Sequence, residues 1–264
     1  MVAATRSCIK AIAALAAAAS VLAVAWPRAA RAGRTHFGWV RATEVVPQRT
    51  VELETWILEK NGVADGDDGA NGEQTRDETA VWWTTIVGIT DQVELSVPVQ
   101  LRHFEVGDAE GQTLFYGFGA ELRWRLVSSD PVEAGPVAPT LRAGVHRLVN
   151  QRSRTSADGG VALGLELGRV HAALDVGATW TTGGDEDSIV ELTPAAGISV
   201  RVFGDLRMGA EAYGEATFGG PGADWVAVGP NMAWTHGRFW ISAALPIGLV
   251  DVSTAPRINW AVAF

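Results

Sequence analysis

The sequence predicts an all-β fold, a transmembrane antiparallel up-and-down barrel of about twelve strands, with ten to fourteen also compatible with the pattern. Three observations carry this. Apolar and polar residues alternate with a period of two over stretches longer than an ordinary strand of about five or six residues. The connections between these stretches are alternately long and tight, and the chain begins with an export signal. The 264 residues hold one cysteine, Cys8, which leaves neither a disulfide scaffold nor a cysteine-rich zinc module, and 47% hydrophobic residues is too many for a disordered chain. A net charge of −9 without a basic stripe argues against nucleic acid as a partner.

At the N-terminus, Arg6 and Lys10 precede an apolar run from Ala11 to Trp26, and Ala30-Arg31-Ala32 then supplies small residues two apart. Such an order reads as a secretory signal peptide over 1–32; the run is short of the roughly 20 residues a membrane helix needs. Cys8 precedes the run, where a lipoprotein cysteine would follow it, so no lipid anchor is expected. Removal of 1–32 takes away Arg6, Lys10, Arg28 and Arg31 and no acid, leaving an exported chain of net charge −13. Residues 33–48 are expected to be a short periplasmic lead or plug, and 49–264 the barrel.

The alternation is clearest from Val93, where Val93, Leu95, Val97, Val99 and Leu101 oppose Glu94, Ser96, Gln100 and Arg102. It recurs as Leu114, Tyr116, Phe118, Ala120, Leu122, Trp124 and Leu126 against Gly117, Gly119, Glu121, Arg123 and Arg125. The same template predicts strands over 49–59, 78–90, 92–104, 113–127, 138–149, 159–167, 170–181, 188–202, 205–218, 224–235, 238–248 and 256–264. A tilted membrane strand needs about 9–11 residues, which these lengths match. Long polar connections fall at 60–77, 105–112, 150–158, 182–187, 219–223 and 249–255. Tight ones fall at Thr90-Asp91, Gly168-Arg169, Phe203-Gly204-Asp205 and His236-Gly237, with 128–137 the longer exception. An even strand count with long loops at one end and short turns at the other is the arrangement of bacterial outer-membrane barrels.

Soluble barrels also alternate, but they point their apolar set inward, whereas a membrane barrel keeps its polar set inside. The polar set here holds nine acids (Glu52, Glu54, Glu94, Glu121, Glu166, Asp175, Glu191, Glu211, Glu215) and seven arginines (Arg102, Arg123, Arg125, Arg142, Arg201, Arg207, Arg257). Aromatics near segment ends, Phe104, Trp124, Trp180, Trp234, Phe239 and Trp260, fit interfacial girdles on the lipid face. The expected lumen-lining groups are Glu94, Arg102, Glu121, Arg123, Arg125, Arg142, Glu166, Asp175, Arg201, Arg207 and Glu211. Because Arg bonds carboxylates bidentately, these could pair into a self-satisfied interior. Alternatively, opposed acidic and basic rungs could line a narrow polar pore that orients a small solute.

The final strand, Arg257-Ile258-Asn259-Trp260-Ala261-Val262-Ala263-Phe264, resembles the C-terminal assembly signal of Gram-negative outer-membrane proteins, with Trp260 and the terminal Phe264 on the apolar phase. Glu44-Val45-Val46-Pro47-Gln48 before Val51-Glu52-Leu53-Glu54, and Gly88-Ile89-Thr90-Asp91-Gln92-Val93-Glu94-Leu95, are similar to stretches in uncharacterised transporter-like barrel families, including relatives of phenol-degradation outer-membrane proteins. These stretches cover under a tenth of the chain. The resemblance implies a channel or transporter for small polar or aromatic solutes, surrounded by outer-membrane lipid and lipopolysaccharide and inserted by the barrel-assembly machinery. It carries over no catalytic or binding residue.

The connection from Glu59 to Glu78 holds seven acids against Lys60 and Arg76, but Asp65-Gly66-Asp67-Asp68-Gly69 lacks the spacing of a calcium loop, so a solvated surface loop is expected. Lipid hydrolysis is the rival class and needs a hydroxyl within reach of a base. His36 precedes the barrel, His146 and His171 sit on the polar phase, and His236 lies in a tight turn. His103 is on the apolar phase near the outer rim without a companion serine motif. No metal-spaced histidine cluster, phosphate loop or nucleotide fingerprint appears, so no enzyme activity, metal or cofactor is expected. A closed structural or surface-interaction barrel is the alternative to a channel.

Overall fold

The computed structural model describes residues 35–64, 75–106, 111–128, 136–149, 154–183, 188–219 and 224–264. The proposed signal peptide and the centre of the acidic loop fall outside these residues. The chain forms a closed, twelve-stranded, antiparallel up-and-down barrel. In order the strands are β1 (Val51–Ala64), β2 (Thr75–Gly88), β3 (Val93–Val106), β4 (Gln112–Arg125), β5 (Val137–Leu148), β6 (Thr155–Leu167), β7 (Val170–Thr182), β8 (Ile189–Phe203), β9 (Leu206–Phe218), β10 (Trp225–His236), β11 (Phe239–Ala244), β12 (Ile247–Val250) and β13 (Arg257–Ala263). All twelve predicted segments are strands.

The eleventh staff of the barrel is broken into β11 and β12. Both pair with β10, and the break falls at Leu245-Pro246, where proline has no N–H to give to the ladder. Ring closure runs through β13, which pairs with β11 on one side and β1 on the other, Glu52 lying opposite Ala263 and Leu58 opposite Arg257. Phe264 N–H donates to the Val51 carbonyl at 2.8 Å, so the two ends of the barrel sequence are zipped together. Closure joins the first strand to the last and so removes the free edges of an open sheet, which is what a sheet needs in a medium that cannot hydrogen-bond it. Gly168 and Gly237 sit in their two-residue turns at φ of 62° and 58°, a left-handed conformation that costs glycine nothing.

The outer surface is an apolar band. Phe118, Leu122, Val145, Leu174, Val176 and Ile198 are each about half exposed and belong to different strands or heights of the wall. A band of this kind is suited to lipid rather than water. Trp124, Trp180 and Trp234 stand on it near strand ends, as expected. Phe104 does not: it shares the inward phase of Arg102 and packs near Tyr116, with ring centroids 6.5 Å apart.

Two further departures matter for the interior. β1 and β2 run on to Ala64 and back to Thr75, so Lys60 and Arg76 belong to the wall and not to the loop expected over 60–77, and Glu78, expected at the first position of its strand, lies inside β2. In β4 a bulge lies opposite Gln100 and Leu101, whose partners are Gly117 and Phe115. The extra residue is Tyr116. It turns inward, and Phe115 takes the lipid side in its place, which reverses the expected alternation above Gly117.

Candidate functional site

The interior is occupied by the chain's own N-terminal segment. Residues 36–47 lack strict alternation but include Phe37, Trp39, Val40, Ala42, Val45 and Val46, all buried. An apolar stretch placed before a barrel must find cover, and the lumen provides it. The segment enters at the short-turn end, with His36 against His171 near the start of β7. It rises to Trp39 and Arg41, then descends to Val46, whose N–H donates to Glu94 near the start of β3.

Each level of this plug is held by a named group of the wall. The Glu211 carboxylate accepts three consecutive backbone N–H groups, from Gly38 at 2.9 Å, Trp39 at 2.9 Å and Val40 at 3.1 Å. A β-carbon at position 38 would lie 2.6 Å from that of Ala244, so glycine is required for the backbone to come this close. Asn259 and Ser242 donate to the carbonyls of Phe37 and Gly38, and the Trp39 indole donates to the Ala255 carbonyl at 2.8 Å. The Trp39 ring packs in a buried apolar cluster with Leu58, Val63, Trp225 and Val252. Arg257 lies between two plug and wall aromatics, 3.9 Å from the Trp56 ring centre and 4.8 Å from that of Trp39.

The tip of the plug carries a cation. Arg41 bonds Glu121 at 2.8 Å. Burial opposes its charge most strongly, but the carboxylates of Glu121, Asp175 and Asp158 outweigh burial and hold the guanidinium above its ordinary pKa.

Most predicted lumen residues point inward and pair. Arg123 bonds Glu94 at 2.7 Å and also the Ala42 carbonyl of the plug. Arg142 bonds Asp175, lying over Gly160 and Gly177, where a β-carbon would strike its guanidinium. Arg207 bonds Glu166 at 3.2 Å, but this pair, with Arg125 and Arg201, sits near the short-turn rim outside the main cavity. Glu211 faces the plug instead of a solute path. Arg102 pairs with Glu78 at 3.2 Å and lies 3.8 Å over the Tyr116 ring, and Lys60 pairs with Glu215 at 2.8 Å. Sequence reasoning missed Glu78, Lys60 and Tyr116, Lys60 because it was placed in a loop and Glu78 because it was counted with the acids of that loop. It also missed the interior aromatics Trp56, Trp82, Trp225, Trp240 and Tyr213.

A cavity of about 510 Å³ remains around and beyond the plug. Plug residues from Gly38 to Val46 line it, and its walls carry Glu52 and Glu94 near the short-turn end and Lys60, Glu78, Arg102, Tyr116, Glu191 and Glu215 toward the long-connection end. Aromatic faces beside fixed charges can hold a planar or polar solute, and opposed charges can orient it.

No protein-family model matches the chain, and no curated protein matches it. Solved structures do. An outer-membrane channel from Pseudomonas putida F1 superposes with a TM-score of 0.58 at 12% identity, over 84% of this chain and 98% of that one. The β domain of the Bordetella autotransporter BrkA gives 0.54 at 11% identity, over 81% and 99%. The KdgM porin, in complex with disordered oligogalacturonate, gives 0.50 at 9% identity, over 81% and 99%. At these identities the likeness is one of fold. The fold is that of a Gram-negative outer-membrane barrel.

On the outer surface, the structure gives His103 neighbours the sequence did not show. Its Nδ1 lies 2.8 Å from Thr113 Oγ1 and its Nε2 3.0 Å from Glu105. The three come together because His103 and Glu105 are two apart on one face of β3 and Thr113 is directly opposite His103 on β4.

Proposed function

We propose that the protein is an outer-membrane channel for small polar or aromatic solutes, with its N-terminal segment as the internal constriction. Both chain ends of the barrel then face the periplasm and the long connections face outward. The lipid-facing band contacts outer-membrane lipid and lipopolysaccharide, and β13, which carries Trp260 and is followed by Phe264, is the strand offered to the assembly machinery. The observation that carries the reading is the charged and aromatic cavity that runs beside the plug toward the long-connection end.

Conductance in a planar lipid bilayer tests this. The folded protein is expected to give small, discrete steps, with reversal potentials under a salt gradient reporting whether Glu78, Glu191 and Glu215 or Lys60 and Arg102 govern ion preference. Silence from both the intact protein and a folded variant lacking residues 36–47 would replace the channel with the second reading, a closed structural or surface-interaction barrel. That reading is favoured by the extent to which the plug fills the short-turn half of the lumen.

The Thr113, His103 and Glu105 array has the order hydroxyl, imidazole, carboxylate, which suits activation of a nucleophile. We read it as structural. Threonine's oxygen is half of a stiff β-branched side chain on a strand, and no pair of donors aimed at a developing oxyanion accompanies it among the described residues. Phospholipid vesicles incubated with the purified protein are expected to release no fatty acid. Release that disappears in Thr113→Ala would make the barrel a lipid hydrolase.

A further inference from the structure

We propose that His36, Glu44 and His171 form a binding site for a divalent transition metal, Zn²⁺ by its ligand set, which fastens the plug to the barrel wall. Nothing in the channel reading requires this site, and the two stand or fall separately. The three side chains offer two imidazole nitrogens and one carboxylate oxygen, all within 4.8 Å of one another. The Nδ1 atoms of His36 and His171 point at each other in direct contact, with their rings perpendicular at a centroid distance of 4.7 Å. Both histidines are buried, at 6% and 2% exposure. Beside them, Glu44 Oε2 is buried with no hydrogen-bond partner among the described residues.

A hydrogen bond between the two rings could satisfy at most those two nitrogens. It leaves Glu44 Oε2 with nothing to accept, which is costly for an oxygen shut off from solvent. A single dication satisfies all three groups at once. Two imidazoles and a carboxylate are a common zinc set, with the fourth tetrahedral position left for water. Zinc at its usual nitrogen distance of about 2.0–2.1 Å would part the two nitrogens to roughly 3.3 Å, within the span the cluster already covers.

The placement gives the site a mechanical meaning. His36 enters the lumen at the start of the plug and Glu44 lies where it leaves, while His171 belongs to β7. One ion therefore clasps both legs of the plug to the wall, two residues along the chain from where the Glu211 clamp begins at Gly38. Positions 36, 44 and 171 have no ligand spacing in sequence, which is why the expectation of no metal-spaced histidine cluster missed them.

The test is Zn²⁺ titration by calorimetry of untagged, chelator-treated barrel refolded in detergent without lipopolysaccharide. Co²⁺ absorption serves as the geometric readout. One equivalent is expected at micromolar affinity or tighter, with the Co²⁺ bands of a four-coordinate site. His171→Ala should weaken binding at least 100-fold and Glu44→Gln about tenfold, each checked for folding by heat-modifiable electrophoretic mobility. Glu44→Gln preserves shape and keeps the test open if His171→Ala fails to fold. No binding by the folded protein, or binding that Glu44→Gln and His171→Ala leave unchanged, overturns the proposal.

Discussion

Glu211→Ala is expected to raise conductance severalfold over the intact protein, with longer open times, while the barrel stays folded. One carboxylate holds three consecutive N–H groups at the plug tip. Hydrogen bonds to a charged acceptor contribute about 1.5–3 kcal/mol each, and the three donors would be stranded when the carboxylate is removed. Every 1.4 kcal/mol or so changes a two-state ratio tenfold, so even partial loss shifts the plug toward release. Glu211→Gln keeps the shape and one carbonyl acceptor and should fall between the two. Other ties, among them Arg41 to Glu121, the Trp39 indole to Ala255, and Ser242 and Asn259 to the carbonyls of Phe37 and Gly38, should limit the opening and keep the plug in the lumen. Unchanged conductance in the folded Ala variant would mean that this loop does not set the constriction.

Arg142→Ala is expected to cost the barrel about 3–5 kcal/mol, because it takes the hydrogen-bonded partner from the buried Asp175 and leaves it only the charge of Arg41. Both side chains are nearly inaccessible, at 6% and 2% exposure, so solvent cannot take over the lost partner. The double variant Arg142→Ala with Asp175→Ala should recover most of that loss, since removing both charges also removes the desolvation they impose. Gly177→Val should resemble the single variant, because a side chain there would occupy the space of the Arg142 guanidinium. Urea unfolding in detergent, followed by tryptophan fluorescence, measures all three. Equal stability of the single and double variants would show that Asp175 finds another partner.

The strands, their number and the sign of their two faces were legible in the sequence because each is a local property. Alternation of side chains across a strand is dictated by backbone geometry, and tight turns need glycine where φ is positive. So the segment from 170 to 181, read from Val170 and His171 onward, appears as β7 with Asp175 inward and Val176 outward. The inward turn of Tyr116 was not legible. It depends on one residue inserted opposite Gln100, which shifts the phase only when β3 and β4 are seen together. The break at Pro246 was written in the chain, yet its effect appears only where Thr254 returns to bridge Ile247 and Asn61.

The interior pairs follow the same division. That acids and arginines would face inward was a matter of parity; which of them meet was decided by register, as with Glu94 and Arg123 directly opposite on β3 and β4. The sequence by itself determined a twelve-stranded wall with an apolar outside and a charged inside. Only the tertiary structure decided that residues 36–47 fold back into that interior, that Glu211 grips them, and that His36 and Glu44 come to His171. Those contacts join positions far apart along the chain, and no local period or spacing encodes them.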